Sequence, residues 1–201
     1  TFSSRGLGDV YKRQVLDRAA QIAESSRSDS MVVVRYGHLI DERYWNDKTR
    51  ADLQQTFSGT KSIYALLVGR AIRRGYLTGL DQRIRDLIPE MPEAMSRLTF
   101  RSIMSMATGV ENSPEIEALG QNGQTQLEIA LERTVAHEPM THYHYNNAPY
   151  RLTFTALERA ADRSLEELTA EEVFGPLGFD GAYWVRLYAI DSGSERFQGY
   201  Q

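Results

Sequence analysis

The sequence predicts an α+β fold in which one early β-hairpin is followed by a long helical stretch. MVVVRYGHLIDERYW (31–45) indicates the hairpin, because a β-branched run meets a turn near Tyr36-Gly37 and an apolar pair then begins the return strand. Apolar residues spaced three and four apart over most of 58–179 indicate the helices. Two strands make a marginal sheet, so the chain is either mainly helical or part of a domain with further strands beyond it.

Residues 1–14 are set apart from the fold. TFSSRGLGDVYKRQ has neither the hydrophobic run of a signal peptide nor a helix or strand period. Within it, SRGLGDVYKRQ (4–14) resembles one translated frame of a transposon-end adapter used in DNA sequencing libraries. We therefore interpret 1–14 as adapter-derived and expect the natural start to be missing. Coding DNA that differs from the adapter across 4–14 would remove this interpretation.

The remaining elements follow from periodicity and from turn residues. VLDRAAQIAESSR (15–27) has helical spacing that ends in a Ser-rich break, and NDKTRADLQQ (46–55) is a polar connection. Later helices are predicted from Ser58 to a C′ glycine at Gly75, at 81–88 before Pro89, at 98–109, at 124–136, at 149–164, and at 164–179 with a break at Gly175-Pro176.

Composition excludes several classes of function. A net charge of −4 with scattered signs argues against a nucleic-acid surface, which needs a basic stripe. No apolar run reaches the roughly 18 residues of a membrane span; AYWVRLYAI (182–190) is short and contains Arg186. The absence of cysteine excludes disulfides and thiolate metal sites, but it leaves the compartment open.

The segment FSGTKS (57–62) is the first candidate for chemistry. Arginine is the usual cation of this chain, and Lys61 is one of three lysines, with Lys12 and Lys48. Residues i and i+3 share a helix face, so Lys61 can reach Ser58, and lysine can serve as a base whereas arginine cannot be deprotonated. The alternative is a helix N-cap at Ser58 with a solvated lysine beside it.

HYHYNN (142–147) is the second candidate. Tyr145 and Asn147 lie two residues apart, so an extended segment points both side chains the same way. A phenol can relay protons, and an amide can hold a substrate amide. The alternative is an ordinary aromatic loop with asparagine turn chemistry.

The order S-x-x-K followed by Y-x-N resembles the serine β-lactamase and penicillin-binding-protein superfamily, most of all its class C β-lactamase and esterase-like branch. The segments over most of 31–180 match that branch in order. The resemblance implies a β-lactamase/transpeptidase-like α+β fold, with an antiparallel sheet flanked by helices and a helical subdomain at about 76–180. It also implies an acyl-forming nucleophile at Ser58, its base at Lys61, a shared proton shuttle at Tyr145 and a substrate contact at Asn147.

Two features depart from the family pattern. Asn146 stands where the family usually has serine, and no Lys/His-Thr/Ser-Gly triplet follows Tyr145. In the family that triplet lies on a late strand which provides one oxyanion-hole N–H, and losing one such donor costs about 10²- to 10³-fold in rate. We therefore expect 15–201 to be the N-terminal part of one domain, lacking the C-terminal strands and inactive as a fragment.

The predicted function is that of a serine hydrolase of the esterase, amidase or D-Ala peptidase type, acting on an ester, amide or β-lactam carbonyl of a small molecule without a cofactor. The alternative is a non-catalytic relative that serves as a binding or scaffold protein. The resemblance fits a periplasmic or secreted protein without fixing the compartment.

Other polar clusters carry weaker hypotheses. HEPMTH (137–142) misses the zinc-protease spacing and contains Pro139, and the pair His142 and His144 lacks an evident third metal ligand. Five glutamates are expected to lie on solvated helix faces: Glu158, Glu166, Glu167, Glu171 and Glu172.

Overall fold

A computed structural model describes residues 7–111, 125–179, 181–184, 186–191 and 194–200. The chain divides into two compact units, one ending at Gln54 and the other beginning at Gln55. No helix in these described ranges is long and apolar enough to cross a membrane.

The first unit consists of helix α1 (Leu7–Ser25) and an antiparallel hairpin of β1 (Ser30–Arg35) and β2 (His38–Tyr44). Tyr36 and Gly37 make the turn with φ angles of 49° and 76°, which confirms the predicted hairpin. Helix α1 begins at Leu7, within the stretch 1–14 that shows no helix or strand period. Extending an existing helix adds one hydrogen bond for each residue fixed, so α1 can continue through a stretch with no period of its own.

The second unit is mainly helical over its described part. A 3₁₀ turn occupies Phe57–Gly59, and a π-helical turn occupies Ala170–Phe174. The α-helices are α2 (Thr60–Arg74), α3 (Phe100–Met104), α4 (Gln126–Leu131), α5 (Asn147–Ala161), α6 (Leu165–Thr169) and α7 (Gly175–Leu177).

Helix ends follow capping chemistry. Helix α2 ends at Gly75, whose φ of 81° is the left-handed conformation that glycine adopts freely. Thr99, Thr125 and Ser164 accept hydrogen bonds from the third residue of α3, α4 and α6. The predicted helix start near Pro149 moves two residues earlier, because Asn146 caps α5 with its side chain.

Several predicted helices are shorter than their sequence pattern. The helix expected at 81–88 is only a 3₁₀ turn, Ile84–Asp86, because the Ile84 N–H donates to Leu98 O (2.9 Å) instead of continuing a helical ladder. The helix expected at 98–109 ends at Met104, and that expected at 124–136 spans Gln126–Leu131 in the described residues.

The break predicted at Gly175-Pro176 is wrong, since α7 spans that dipeptide. Proline is tolerated in the first turn of a helix, where its missing N–H has no partner to lose. The chain leaves the helix at Gly178, with φ of 67°.

A second hairpin, which the sequence reading missed, pairs β3 (Arg186–Asp191) with β4 (Ser194–Tyr200) in antiparallel register. RLYAID does not alternate strictly between apolar and polar residues, so the period-2 signal of a half-buried strand is weak. The α+β class is nevertheless the one predicted.

The core of the second unit joins α2 to α5. Tyr64 on α2 is fully buried and donates its hydroxyl to Thr153 O at 2.7 Å. Tyr150 on α5 donates to the Lys61 carbonyl at 3.4 Å. The fully buried apolar side chains around this joint include Leu67, Phe100, Ile103, Leu152, Leu157 and Leu165. These contacts fix the start of α2 against the start of α5.

The expectation of a solvated face is wrong for Glu172, which is only 4% exposed. Its carboxylate accepts hydrogen bonds from Arg70 (2.7 and 3.0 Å) and from Arg74 Nε (2.6 Å), both on α2. The i, i+4 spacing of the two arginines places both guanidinium groups on one side of the helix. Glu172 therefore ties α2 to the π-helical turn.

Candidate active site

Ser58 and Lys61 lie where the chain enters α2. Ser58 is in the 3₁₀ turn, and Lys61 is in the first turn of the α-helix. The preceding Phe57 has φ of 45°, a left-handed conformation that is costly for a bulky side chain. Neither the turn nor α2 is capped by a side chain, so the alternative of Ser58 as a helix N-cap is not what the structure has.

The loop that leads to Tyr145 lies along the segment 106–111. Main-chain N–H groups of the loop donate to carbonyls of that segment: His144 to Met106 (2.8 Å), Met140 to Ala107 (2.7 Å) and Ala136 to Gly109 (2.9 Å). At Gly109 the φ is 71°, and a Cβ would lie 1.9 Å from the carbonyl oxygen of His137. Only glycine permits this approach of the two backbones.

Three side chains meet around the Lys61 ammonium. Its Nζ donates to Ser58 Oγ (3.2 Å), to the Tyr145 hydroxyl (3.1 Å) and to Asn147 Oδ1 (2.9 Å). Ser58 Oγ and the Tyr145 hydroxyl are also hydrogen-bonded to each other. The structure thus brings together all four residues that the sequence singled out, across more than 80 positions of the chain.

Electrostatics separates the two tyrosines of the site. The hydrogen bonds from Ser58, and then from Lys61, lower the pKa of Tyr145. Burial raises the pKa of Tyr150 to about 12, with a smaller contribution from Tyr145. The ammonium of Lys61 lies 5.1 Å from the Tyr145 ring centroid and 5.2 Å from that of Tyr150. Tyr145 is therefore the more acidic of the two phenols.

A pocket of about 170 Å³ opens beside this cluster. Ser58 and Lys61 lie on its polar side, and its aromatic side is formed by Phe57, Tyr150, Phe154 and Trp184. Phe154 packs edge-on against Trp184 at 5.7 Å, and the Trp184 indole donates to Thr169 Oγ1 at 2.9 Å. The sequence reading missed this wall. The spacing of Tyr150 and Phe154 on one helix face was its only signal, and that spacing equally indicates an ordinary amphipathic helix.

The histidines of the loop form a separate, exposed group. The rings of His137 and His142 stack with their centroids 4.2 Å apart, and His142 Nδ1 is hydrogen-bonded to Thr141 Oγ1 at 2.8 Å. They take no part in the hydrogen bonds around Lys61 described above.

Comparison with known proteins identifies one family. The family model described as Beta-lactamase matches residues 16–194. No curated protein matches the sequence.

Solved structures similar to this chain agree with that match. The octameric penicillin-binding protein homologue from Pyrococcus abyssi has a TM-score of 0.67 at 17% identity, covering 92% of this chain and 50% of its own. EstCE1, a hydrolase with promiscuous acyltransferase activity, has a TM-score of 0.68 at 18% identity, and the match covers 94% of this chain and 60% of EstCE1. The penicillin binding protein from Bacillus halodurans has a TM-score of 0.63 at 15% identity, and the match covers 90% of this chain and 68% of that protein.

At these identities the likenesses establish the fold, and they confirm the predicted α+β architecture with its antiparallel strands. The chain spans 50% and 60% of the lengths of the first two of these proteins.

Proposed function

Because the chain belongs to the Beta-lactamase family, we propose that it carries the acyl-enzyme site of a serine hydrolase, with Ser58 as the nucleophile. The observation that carries this proposal is the position of Lys61 Nζ, within 3.2 Å of Ser58 Oγ, the Tyr145 hydroxyl and Asn147 Oδ1. A serine hydroxyl is a weak nucleophile until an adjacent base takes its proton. Two groups that can take the proton in their deprotonated forms, the amine of Lys61 and the phenolate of Tyr145, contact Ser58 Oγ directly.

In the acylation step, Ser58 Oγ forms a bond to the substrate carbonyl carbon while its proton passes to the Lys61–Tyr145 pair. The tetrahedral intermediate collapses, the bond to the leaving group breaks, and the same pair returns the proton to that group. In deacylation, the pair takes a proton from a water molecule while the water oxygen forms a bond to the acyl carbon. The bond from that carbon to Ser58 Oγ then breaks, and the pair returns the proton to Oγ. Together the two steps amount to a net hydrolysis that balances without any cofactor.

Asn147 has a different role in this proposal. Its Oδ1 accepts from Lys61, and its side-chain N–H₂ group is a donor suited to a substrate amide or carbonyl oxygen. The main-chain N–H of Ser58, at the start of the turn into α2, is the proposed oxyanion donor on this side of the site.

The proposed substrates are small esters, amides or β-lactams. The pocket is about 170 Å³, and its aromatic wall favours a small apolar acyl group. The chain is similar to EstCE1, described as a hydrolase, and to penicillin-binding proteins. We therefore propose both ester and lactam carbonyls as candidate substrates.

Covalent labelling tests the proposal. The protein expressed from the longest reading frame that contains this chain is treated with a fluorophosphonate probe and, separately, with a penicillin probe. Peptide mass spectrometry should locate the adduct on Ser58, and Ser58→Ala should abolish it. A folded protein that gives no Ser58 adduct with either probe, and turns over no ester or lactam, would contradict the proposal and favour a non-catalytic binding protein.

A further inference from the structure

Asn146 lies between two residues of the site but faces the opposite way. It is 3% exposed, whereas Tyr145 on one side is 43% exposed and Asn147 on the other is exposed as well. Its backbone is extended, with φ −144° and ψ 120°, so its side chain points away from the side of the loop that meets Lys61.

The amide of Asn146 makes three hydrogen bonds in two directions. Its Nδ2 donates to Val110 O (3.1 Å) and to Glu111 O (3.3 Å), and its Oδ1 accepts from the Ala148 N–H (3.1 Å). The first two bonds hold the loop to the segment 106–111, and the third caps α5. One side chain thus fixes both the end of the Tyr145 loop and the start of the helix that carries Asn147.

We propose that Asn146 is a positioning residue for acyl transfer: its amide sets the placement of Tyr145 and Asn147 around Lys61 by tying the loop to Val110 and Glu111. This inference rests on the proposed function for its catalytic readout. The main-chain bonds of His144 and Met140 already hold the upstream part of the loop. Downstream of His144, the Asn146 amide continues this attachment up to the helix.

The chemistry of the side chain explains why an amide suits this position. Asparagine supplies donors and an acceptor at once, whereas an aspartate has only acceptors and would turn an oxygen toward two carbonyl oxygens. A serine hydroxyl is shorter and reaches the Ala148 N–H as a cap, but it does not span to both carbonyls. A serine at position 146 therefore keeps the cap on the Ala148 N–H and loses the hydrogen bonds to Val110 and Glu111.

The test compares Asn146→Ser with wild type in the protein from the longest reading frame, using steady-state hydrolysis of a p-nitrophenyl ester. Since misplacement of a catalytic group by about 1 Å can cost ~10²-fold, we expect kcat to fall at least about tenfold. KM should change less than kcat. The acid limb of the pH–kcat/KM profile should also move to higher pH, because a displaced Tyr145 loses the contacts with Ser58 and Lys61 that lower its pKa.

Ser164→Ala is the matched control. Ser164 caps α6 within a capping box, so Ser164→Ala removes side-chain hydrogen bonds at a helix start away from Lys61 and controls for a loss of stability alone. We expect a comparable decrease in Tm, with kcat and the pH profile unchanged. An Asn146→Ser enzyme with the kcat and acid limb of wild type would overturn the inference.

Asn146→Asp is the second variant, because it keeps the size and the cap and reverses the polarity toward Val110 and Glu111. It should lose more activity than Asn146→Ser, and equal activity of the two variants would also contradict the proposed role of the bonds to Val110 and Glu111.

A wild-type protein that gives no Ser58 adduct would refute the proposed function, not this inference. In that case amide hydrogen exchange at Tyr145 and Ala148 decides the inference: faster exchange in Asn146→Ser at Tyr145 supports the tie, and unchanged exchange rejects it.

Discussion

The two halves of the candidate site are held by different physics. Ser58 and Lys61 are three residues apart, and the turn into α2 alone brings their side chains within 3.2 Å. Tyr145 lies 84 positions beyond Lys61, and its place depends on a loop hydrogen-bonded to the segment 106–111. The half formed by Ser58 and Lys61 is therefore local, and the half formed by Tyr145 is tertiary.

The two halves of the site also differ in how each is held in place. The local half stores its strain in one residue, the left-handed Phe57, and is anchored through the buried core of α2. The tertiary half has few buried contacts of its own, since the loop from Thr141 to Tyr145 is exposed. We expect substitutions in the loop to change rates more than stability, and substitutions in the anchors of α2 to do the reverse.

The largest expected effect is on the local half. Lys61→Arg keeps a cation beside Ser58 but removes the ability to accept its proton, since a guanidinium stays protonated. Loss of a positioned base typically costs 10²- to 10⁴-fold, and we expect kcat/KM for ester hydrolysis to fall by about 10³-fold or more.

Lysine elsewhere on the surface provides the control for this change. Lys48→Arg makes the same substitution in the polar connection of the first unit and should leave kcat/KM at the wild-type value. If Lys61→Arg retained more than about a tenth of wild-type activity, the base would have to be another group.

A smaller loss is expected for the tertiary half. Tyr145→Phe removes the hydroxyl that contacts Ser58 and Lys61, and we expect a decrease of about 10²-fold in kcat/KM. The pKa of Tyr145 is lowered by those two partners, so its deprotonated form, the proposed proton acceptor, is populated from a lower pH than for an ordinary phenol. The wild-type rate should rise with pH through this pKa, and the variant should lack that rise.

Tyr143→Phe is the matched control for this prediction. Tyr143 lies in the same loop with 74% of its surface exposed, and the substitution deletes the same hydroxyl. It should preserve both the rate and the acid limb. A Tyr145→Phe enzyme with the wild-type acid limb would assign that limb to another group.

The same division explains what the sequence could predict. The Ser58–Lys61 pair and the first hairpin depend on spacing over a few residues, and helix and strand periods encode such spacing directly. Tyr145 and Asn147 are identifiable as a pair because they lie two residues apart and because the family order of motifs is recognisable. Their approach to Lys61 needed the tertiary fold.

Other features had no local signal. Glu172 has the sequence context of a solvated helix face, and only the packing of α2 brings Arg70 and Arg74 to it. Asn146 has the sequence context of an ordinary loop residue, yet its amide is committed to carbonyls 35 and 36 positions earlier in the chain. Buried polar partners at such separations leave no period in the sequence.

The smallest expected effect on catalysis comes from breaking the anchor of α2. Glu172→Gln keeps the shape of the side chain and removes the charge that pairs with Arg70 and Arg74. Breaking a fully buried ion pair costs about 3–5 kcal/mol, and since both arginines are partly exposed we expect a loss of about 1–3 kcal/mol in the free energy of unfolding. Activity per folded molecule should remain at the wild-type value.

The pH dependence of this loss gives a second measurement. Burial acts to raise the pKa of Glu172, but the bonds from Arg70 and Arg74 outweigh it, and the net shift is downward. A carboxyl with a lowered pKa contributes stability above its unfolded pKa of about 4.3 and loses it as the pH falls through the folded value. Urea unfolding should therefore show that wild type is more stable than Glu172→Gln at pH 7, and this difference should shrink below about pH 4.

The control is Glu93→Gln, which breaks an exposed ion pair with Arg85 and should leave the urea midpoint near that of wild type. A Glu172→Gln protein with wild-type stability but a reduced rate would show that the anchor of α2 serves catalysis directly, and the division between the two halves would then fail.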